Sequence, residues 1–457
     1  MNTSNIITGG DTMPAFTIVP TAARITPGAT LRGTVTPPGS KSYSARAVLA
    51  AGMAPGRSRI RRIANSRNVR ALIDAVAALG AETRFEGGDL VVVGPARLRN
   101  DQTIDVGNSG IVLRLLLGAT AHLHRTTFVT KYPESLGRRS NIEMLDALRR
   151  LGVDADWQER DGRLPISTYG AGIHGGSTSI ESRKSSQFLS GLLYLGGRLD
   201  SALEIHVPDE LKAPSMVRTT QQVLAIAGVE TSASPDGLQY HVAAGTAFAP
   251  AQFSVGSDPA STAALLALAA ALDSDVSIRH TGLTELDGVV DYVRSAGGNV
   301  TAGSDEIRVQ GDPAALKPLD FDGSLSPDSV LPLAALSAHA DGTSIFRNIE
   351  HIRYKECDRI SDFRTELRKV GIESEETVDS LIIHGNPAGA TRSAVIDSHF
   401  DHAIVLAFTL IGARSKHGLV IENSGVVGQT YPDFFRDAAE LGIGLQLSAE
   451  PAVKAGA

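Results

Sequence analysis

Apolar and polar residues follow one pattern that recurs six times along this chain. Each copy predicts an amphipathic helix, a glycine just after the helix, and short strands around a turn. In the first copy, the apolar face of the predicted helix follows the 3.6-residue period through Val69, Leu72, Ile73, Val76 and Leu79. The six copies span residues 71–94, 143–167, 221–243, 289–311, 362–385 and 434–448.

The glycines that end the predicted helices are evenly spaced, on average roughly 72 residues apart. A residue just past a helix often adopts a positive φ, which favours glycine. Asp161-Gly162 and Asp236-Gly237 are turn signals inside the predicted hairpins. The helix-ending glycines are Gly80, Gly152, Gly228, Gly297, Gly371 and Gly442.

This regular spacing indicates an internal repeat. A helix followed by glycine and a strand is also common in any α/β protein, so coincidence is the alternative interpretation. We expect an α/β (α+β) protein of six units, arranged as two pseudo-symmetric lobes of three. A cleft between two such lobes is a natural ligand site.

Composition narrows the class of protein. Hydrophobic residues make up 42% of the 457 positions and charged residues 20%, which is enough for a large core. With 43 Lys and Arg against 50 Asp and Glu, the net charge of −7 argues against a nucleic-acid partner. The single cysteine, Cys357, excludes a disulfide framework and favours a reducing compartment.

The sequence gives no sign of targeting to a membrane or of secretion. Residues 1–23 contain no Lys or Arg, so a secretory signal is not expected. The longest apolar run, residues 263–272, has about half the length needed to cross a bilayer. We therefore expect a cytoplasmic protein without a membrane partner.

The segment PPGSKSYSARA (37–47) is the first candidate for an anion-binding site. Its glycine and serines supply backbone N–H groups and hydroxyls, and Lys41 supplies an ammonium group. Arg46 adds a planar fork that fits a carboxylate. The spacing is not that of a P-loop. A solvated loop at the start of a helix is the alternative.

Three further segments place polar residues just before predicted helices, where free N–H groups attract anions. DVGNSGIVLR (105–114) and KYPESLGRRSN (131–141) carry arginines, and RKSSQFLSGLL (183–193) is rich in hydroxyl groups. Capped helix starts and solvated charged faces are the alternative interpretations.

Ionisable residues also cluster in the second half of the chain. SPDSV (326–330) offers an aspartate before an apolar run, which is by default an N-cap. In RYKECDRISDF (353–363), Lys355, Glu356 and Arg359 either face a cleft together or form a surface salt-bridge cluster.

Metal binding and cysteine chemistry are not predicted. His122 and His124 are two residues apart and do not share a helix face. Cys357 has no matching base that the sequence identifies, so a nucleophilic role is not expected.

The order of these motifs resembles that of the 5-enolpyruvylshikimate-3-phosphate synthase family, from about residue 30 to residue 445. The resemblance implies two lobes, each of three βαβαββ units. It assigns residues 1–37 and 255–457 to lobe one and residues 38–254 to lobe two. The matching motifs are PGSKSYSAR, GNSG, SSQFLSGLL, GSDPASTAALLALAAA, SPD, YKECDRISDFRTELRKVG, DHAIVLAF and QTYPDFF.

The resemblance also implies a reaction. The family transfers the enolpyruvyl group of phosphoenolpyruvate to a hydroxyl of shikimate 3-phosphate and releases phosphate, through a tetrahedral intermediate. It needs neither a metal nor an organic cofactor, because positioned charges and lobe closure supply the catalysis. We therefore expect small anionic substrates as partners, and a monomer.

Residue roles are carried over at the positions that match the family motifs. Lys41 is an expected catalytic residue, with Asp328 as the base on the attacking hydroxyl and Glu356 as the acid that protonates the methylene carbon. The expected phosphoenolpyruvate contacts are Lys41, Asn108, Gly110, Arg139, Gln187 and Arg359. The expected shikimate 3-phosphate contacts are Lys41, Ser42, Arg46, Ser185, Ser186, Gln187, Lys212, Asp328, His351 and Lys355.

The chain departs from the family pattern at several of these positions. Ala403 stands where the family has Arg, and Gln429 stands where it has Lys; both cations belong to the phosphoenolpyruvate site. Their loss removes roughly 3–6 kcal/mol of interaction, or about 10²–10⁴-fold in rate or affinity, unless other cations compensate. On the acceptor side, Lys212 replaces Ser, and His351 stands where the family often has Asn.

Three hypotheses follow from this mixture of matches and departures. The chain is a divergent but authentic synthase, a relative with an altered acceptor or altered chemistry, or a non-catalytic protein that binds small anions. The related transferase of cell-wall synthesis is disfavoured, because it usually carries a reactive cysteine in a loop of the first-half lobe. No cysteine occurs in that part of this sequence.

Overall fold

Two kinds of helix alternate along the chain in the computed structural model, which describes residues 20–448 except 159, 171, 209, 281, 283–287 and 325. Odd-numbered helices are apolar on most sides and almost fully buried, whereas even-numbered helices are amphipathic and bury one face. In chain order they are α1 (Lys41–Met53), α2 (Arg67–Ala78), α3 (Gly110–Ala119), α4 (Ile142–Arg150), α5 (Gln187–Gly196), α6 (Pro214–Ile226), α7 (Pro259–Ala271), α8 (Val289–Ser295), α9 (Val330–Ser337), α10 (Ser361–Lys369), α11 (His402–Arg414) and α12 (Phe434–Leu441).

The even-numbered helices are the helices of the predicted repeat. On α2 and at its end, Val69, Leu72, Val76 and Leu79 are buried and Ile73 is partly buried, as the period predicts. All six helix-ending glycines have a positive φ, between 81° and 120°, so this prediction is confirmed. Short 3-10 turns cover Leu136–Arg138, Arg160–Gly162, Pro327–Ser329, Glu350–Tyr354 and Ser424–Gln429.

The strands are short and have alternating exposed and buried side chains. They are β1 (Ala22–Ile25), β2 (Thr30–Val35), β3 (Gly56–Arg61), β4 (Glu82–Glu86), β5 (Asp89–Gly94), β6 (Gln102–Asp105), β7 (Thr126–Val129), β8 (Asp154–Trp157), β9 (Ile166–Tyr169), β10 (Gly176–Ser179), β11 (Leu203–His206), β12 (Thr231–Ala233), β13 (Gln239–Val242), β14 (Gln252–Ser254), β15 (Asp273–Arg279), β16 (Asn299–Ala302), β17 (Glu306–Gly311), β18 (Asp320–Asp322), β19 (Gly342–Arg347), β20 (Glu373–Glu376), β21 (Leu381–Gly385), β22 (Val395–Asp397), β23 (Leu419–Glu422) and β24 (Leu445–Ser448).

The described strands form six four-stranded sheets with one shared topology. Each sheet has one parallel pair of strands and two antiparallel pairs; in the sheet β6-β7-β9-β8, for example, only β6 and β7 run parallel. This arrangement is the βαβαββ unit, repeated six times as three units in each of two lobes. The fold class expected from the sequence is confirmed.

Three sheets are completed by strands that are distant in sequence. The N-terminal strand β1 lies between β23 and β24 and completes the last unit. Strand β2 pairs with β15, and β14 pairs with β3. Lobe two is therefore inserted into lobe one, and the chain crosses between the lobes twice.

The two crossings lie side by side. The Ser40 N–H donates to the Gly256 carbonyl at 2.7 Å, and the Asp258 N–H donates to the Pro38 carbonyl at 2.8 Å. Gly39 forms a bridge with Ser257. A Cβ on Gly39 would lie 2.3 Å from the Arg62 carbonyl oxygen, so only glycine fits this close crossing.

Two separate hydrophobic cores fill the molecule. One contains residues from Ala23–Val35 and from residue 263 onward, and the other contains residues between Ala45 and Val255. These cores support the proposed division of the chain into residues 1–37 plus 255–457 and residues 38–254. Residues 1–19 and 449–457 lie outside the described part. No helix among the described residues is long and apolar enough to cross a membrane.

Candidate active site

The starts of the buried helices converge on a cavity between the lobes. Its wall includes the first residues of α1, α3, α5 and α11 and the 3-10 turn that precedes α9. Unpaired N–H groups and the helix dipole make such ends favourable for anions. The cavity is therefore suited to negatively charged ligands before any side chain is considered.

Most of the residues predicted from the sequence line this one cavity. Their functional roles stay predictions, but their proximity is a structural finding. The predicted residues in its wall are Lys41, Ser42, Arg46, Gly110, Arg139, Ser185, Ser186, Gln187, Lys212, Asp328, His351, Lys355, Glu356 and Arg359.

On the lobe-two side, Arg46 is completely buried and held by oxygen atoms. Its Nε donates to Thr220 Oγ1 at 2.7 Å, and its Nη1 donates to Ser42 Oγ at 2.6 Å. Nη1 also donates to the Ser42 carbonyl at 3.0 Å, and these hydroxyl and carbonyl oxygens carry no negative charge. This geometry suits a residue that receives a carboxylate.

Arg114 is a cavity residue to which the sequence analysis assigned no role, although it ends the selected segment 105–114. Its Nη1 donates to Ser185 Oγ and to Gln187 Oε1, each at 3.1 Å. Burial, followed by the nearby Arg139 charge, lowers the pKa of Arg114 to about 10, so it stays charged at neutral pH. The sequence signal was present, because Arg114 is the one charged residue in the apolar helix α3.

Arg139 lies beside Arg114, and two of its nitrogen donors are unused. Its Nε and Nη2 are buried and have no hydrogen-bond partner among the described residues. A Cβ on Gly110 would lie 3.1 Å from Arg139 Nη1, so the glycine leaves room for the guanidinium. Unpaired buried donors are costly unless a ligand accepts from them.

On the lobe-one side, Arg359 is only 2% exposed and contacts three carboxylates. Its Nε and Nη2 donate to the fully buried Asp401 at 2.7 and 3.1 Å. Its Nη1 donates to Asp328 at 3.0 Å, and its Nη2 donates to Glu356 at 3.1 Å. Asp401 also caps α11 through the Ala403 N–H, so one carboxylate fixes both the arginine and the helix.

These cations keep both predicted acid–base carboxyls ionised in the absence of ligand. Burial acts to raise the pKa of Asp328, but Lys355, Arg359 and Lys41 outweigh it and lower the pKa. Burial likewise acts against the charge on Glu356, while Arg139 and Arg359 hold its pKa well below the ordinary value. Opposite protonation states of the two carboxyls therefore require a ligand.

Glu356, Asp401 and His402 also place potential metal ligands within 4.8 Å of one another. The Arg359 guanidinium, however, already binds both Glu356 and Asp401. Burial and then Lys41 lower the pKa of His402 to about 4, so the ring is neutral at neutral pH. The donor set fits an arginine held by carboxylates, and it does not fit a divalent cation.

The wall of the cavity also contains His351, Lys212 and Lys355. Both ring nitrogens of His351 are buried and have no partner within the described part of the chain. Burial, Lys355 and Lys212 lower the pKa of His351 to about 3, so it is a neutral donor and acceptor. Lys212 Nζ lies 2.6 Å from Glu210 Oε1.

Lys41 joins the two lobes at the base of the cavity. Its backbone N–H donates to Asp258 Oδ2 at 3.2 Å, and its Nζ donates to Thr430 Oγ1 at 2.9 Å. Thr430 directly follows Gln429, the position at which the family lysine is missing.

Three positions discussed from the sequence lie outside the cavity wall. Asn108 lines a neighbouring interlobe cavity of about 880 Å³, where its Oδ1 accepts from the Leu136 N–H at 3.2 Å. Gln429 lines the same neighbouring cavity, and its buried Oε1 has no partner among the described residues. Ala403 is buried in the first turn of α11. The cavity instead contains Arg114 and Lys184 in addition to the predicted cations.

Comparison with known proteins places this chain in a family. The family model of EPSP synthase (3-phosphoshikimate 1-carboxyvinyltransferase) matches residues 25–438. A 3-phosphoshikimate 1-carboxyvinyltransferase of Burkholderia pseudomallei is 47% identical over 418 residues, 90% of this chain and 92% of that protein. The same-named protein of Deinococcus radiodurans is 34% identical over 438 residues, 94% and 97% of the two chains.

Solved structures show the same fold. The EPSP synthase of Acinetobacter baumannii aligns with a TM-score of 0.78 at 22% identity, over 93% of this chain and 99% of that one. The enolpyruvyl transferase NikO of Streptomyces tendae aligns with a TM-score of 0.77 at 18% identity, over 94% and 99%. The sequence matches extend over nearly the whole chain, and on that evidence it belongs to the EPSP synthase (3-phosphoshikimate 1-carboxyvinyltransferase) family.

Proposed function

We propose that this protein transfers the enolpyruvyl group of phosphoenolpyruvate to a hydroxyl of shikimate 3-phosphate and releases phosphate. One observation carries the proposal: a single interlobe cavity holds a cation-rich wall and two carboxyls, Asp328 and Glu356, that share one arginine. The names of the relatives, which are 34–47% identical, agree with it.

In the proposed reaction, shikimate 3-phosphate occupies the end of the cavity near α1 and α5. Arg46 and Ser42 receive its carboxylate, and Ser185, Ser186 and Lys212 receive its phosphate. Asp328 accepts the proton of the attacking hydroxyl, a role that requires the ionised state its low pKa provides. Lys355, whose Nζ is 4.0 Å from Asp328, stabilises the developing oxyanion.

Phosphoenolpyruvate is proposed to bind between Arg139, Arg359, Gln187 and Lys41. The hydroxyl oxygen forms a bond to C2 of phosphoenolpyruvate while Glu356 donates a proton to C3, which gives the tetrahedral intermediate. Breaking the C2–O bond to phosphate and removing a proton from C3 then yields the enol ether. Arg114 supplies positive charge next to Arg139 and is our candidate for partial compensation of Ala403 and Gln429.

Glu356 must gain a proton before it can act as the acid. The free protein keeps it ionised because Arg139 and Arg359 lie close by. Phosphoenolpyruvate brings negative charge to these same arginines, which raises the pKa of Glu356. Substrate binding and protonation of the acid are therefore coupled.

The decisive experiment measures phosphate release from phosphoenolpyruvate with and without shikimate 3-phosphate. Turnover that requires both substrates and is lost in Glu356→Gln supports the proposal. An exposed control, Glu375→Gln, is expected to leave turnover unchanged. Tight calorimetric binding of shikimate 3-phosphate without turnover would instead favour a non-catalytic binding protein.

An altered acceptor is the second candidate function, because His351 and Lys212 change the chemistry of the acceptor end. A neutral imidazole and an extra ammonium favour an acceptor with one more anionic or hydroxyl oxygen there. Phosphate release with a panel of cyclic hydroxy acids, compared with shikimate 3-phosphate, separates the two candidates. A preference for another acid by more than tenfold in kcat/KM would establish the altered acceptor.

We further propose that the enzyme acts as a cytoplasmic monomer without a metal or organic cofactor. The charged side chains that line the cavity supply the charges that the proposed chemistry needs. Light scattering coupled to gel filtration tests the monomer, and full activity after dialysis against EDTA tests metal independence.

A further inference from the structure

The loop between β22 and α11 holds two successive non-glycine residues in the left-handed region. His399 has a φ of 48° and Phe400 a φ of 54°. Bulky residues rarely adopt this conformation, and it persists only where surrounding contacts impose it. The next residue is Asp401, the buried carboxylate that binds Arg359 through two nitrogens.

A second buried carboxylate contacts this loop. Glu366, on α10, is 1% exposed. Its Oε1 lies 2.9 Å from His399 Nε2, and its Oε2 accepts from the Asp397 N–H at 3.1 Å. The Asp397 side chain in turn accepts from the His399 N–H at 2.8 Å. Lys369 Nζ, 2.7 Å from Glu366, completes the cluster.

Glu366 and Arg359 belong to the same stretch of chain, since α10 begins two residues after Arg359. The stretch 359–366 therefore contacts the stretch 397–401 at both ends, through Arg359–Asp401 and through Glu366–His399. The second contact is not part of the wall of the candidate active site, although His399 lines an adjoining cavity that Arg139 and Glu356 also line. The contact between Glu366 and His399 constrains the segment that directly precedes Asp401.

We propose that Glu366 and His399 are positioning residues, which hold Asp401 against Arg359 so that Arg359 can receive phosphoenolpyruvate. The kinetic test of this proposal rests on the proposed function. The positioning of Asp401 against Arg359 can be tested without it. Removing the contact frees the 397–400 loop, lets Asp401 move, and weakens phosphoenolpyruvate binding more than acceptor binding.

The contact also depends on protonation of His399. The hydrogen bond to Glu366 raises the pKa of His399 above its ordinary value, against burial, and Asp362 and Asp397 add to the effect. Lys369 on α10 is a further charged group near the ring. The cavity that His399 lines also contains charged groups of both lobes: Arg114, Glu134, Arg138, Arg139, Lys184, Arg353, Lys355, Glu356 and Asp358. Because the folded-state pKa is raised, the stabilisation is present at low pH and is lost as pH rises through that pKa.

The test compares His399→Asn and His399→Gln with the wild-type protein. Asparagine tolerates a positive φ but is too short to reach Glu366, whereas glutamine can still donate a hydrogen bond without carrying a charge. For His399→Asn we expect KM for phosphoenolpyruvate to rise about tenfold, with KM for shikimate 3-phosphate within twofold of wild type. For His399→Gln we expect a smaller rise and no further increase in KM at alkaline pH.

The matched control is His384→Gln, because His384 also pairs with a glutamate, Glu375, at 3.0 Å but lies on the distant strand β21. If His399→Asn changes KM for phosphoenolpyruvate no more than this control does, the proposal is wrong. Equal increases in KM for both substrates together with a lower Tm would also overturn it, because they indicate general loss of structure.

Crystal structures of wild type and His399→Asn give a readout that does not depend on turnover. We expect the 2.7 Å contact between Arg359 Nε and Asp401 to be lost or lengthened in the variant. An unchanged contact refutes the positioning role even if the wild-type protein is inactive. Inactivity of the wild type would count against the proposed function alone.

Discussion

The two sides of the cavity hold their arginines in different ways. On the lobe-two side, Arg46 and Arg114 contact hydroxyl and amide oxygens, and Arg139 has unpaired donors. On the lobe-one side, Arg359 contacts three carboxylates. Lobe two therefore presents excess positive charge to an anion, whereas lobe one balances its charges and lowers the pKa of Asp328 and of Glu356, the proposed base and acid.

The largest expected difference between the sides is in stability. Arg359→Met leaves the buried carboxylate of Asp401 without its partner, which costs about 3–5 kcal/mol. Arg46→Met removes a donor from the hydroxyl groups of Thr220 and Ser42 and from the Ser42 carbonyl, at a cost of about 1–3 kcal/mol. Urea denaturation of both variants measures the difference. Equal losses would show that the carboxylates on the lobe-one side are better solvated than their burial indicates.

A smaller but specific effect is expected at Arg139. Arg139→Gln removes a donor group that phosphoenolpyruvate is proposed to use, so KM for phosphoenolpyruvate should rise about 10–100-fold while stability is unchanged. The neighbouring Arg138→Gln is the matched control, because Arg138 is exposed and pairs with Glu134. A comparable rise in the control would assign the effect to general surface charge.

Restoring the missing family cations tests whether lobe two already compensates for them. If Arg114 and Arg139 do not compensate fully, Gln429→Lys lowers KM for phosphoenolpyruvate by about tenfold. Gln429 lines the interlobe cavity of about 880 Å³, and its buried Oε1 has no partner among the described residues, so a longer side chain there can extend into open space. Steady-state kinetics give the answer, and an unchanged KM would show that compensation is complete.

The lobe-one side of the cavity should take up a proton when phosphoenolpyruvate binds, whereas the arginines of the lobe-two side should not. Because phosphoenolpyruvate raises the lowered pKa of Glu356, its binding should take up as much as about one proton at neutral pH. Calorimetry in two buffers of different ionisation enthalpy measures this number. Glu356→Gln should abolish most of the uptake, and persistent uptake in that variant would move the assignment to another group.

The smallest expected effect concerns Cys357. Burial and the adjacent Asp401 raise the pKa of its thiol, and Sγ lies 3.6 Å from Asp401 Oδ2. Iodoacetamide at pH 8 should therefore react with it far more slowly than with free cysteine, as mass spectrometry can measure. Rapid alkylation would mean that the lobe-one side opens readily.

The repeat and the apolar face of α2 were predictable because they depend on local periodicity. The closure of the last unit by β1 was not, since a pairing between the chain termini leaves no periodic signal. Arg114 was overlooked because a single charged residue in an apolar helix has no motif of its own. The ionised state of Glu356 depends on Arg139 from the other lobe, so only the assembled site reveals it.

Inserting one lobe into the other has a kinematic consequence. Two adjacent connections, hydrogen-bonded to each other at Ser40–Gly256 and Pro38–Asp258, allow bending about the line that passes across both of them, perpendicular to their direction. They resist twisting and sliding, because such motions would separate the paired segments. Relative motion of the lobes is thereby reduced to nearly one rotational coordinate. A single pair of fluorophores, one on each lobe, suffices to follow the opening and closing of the cleft.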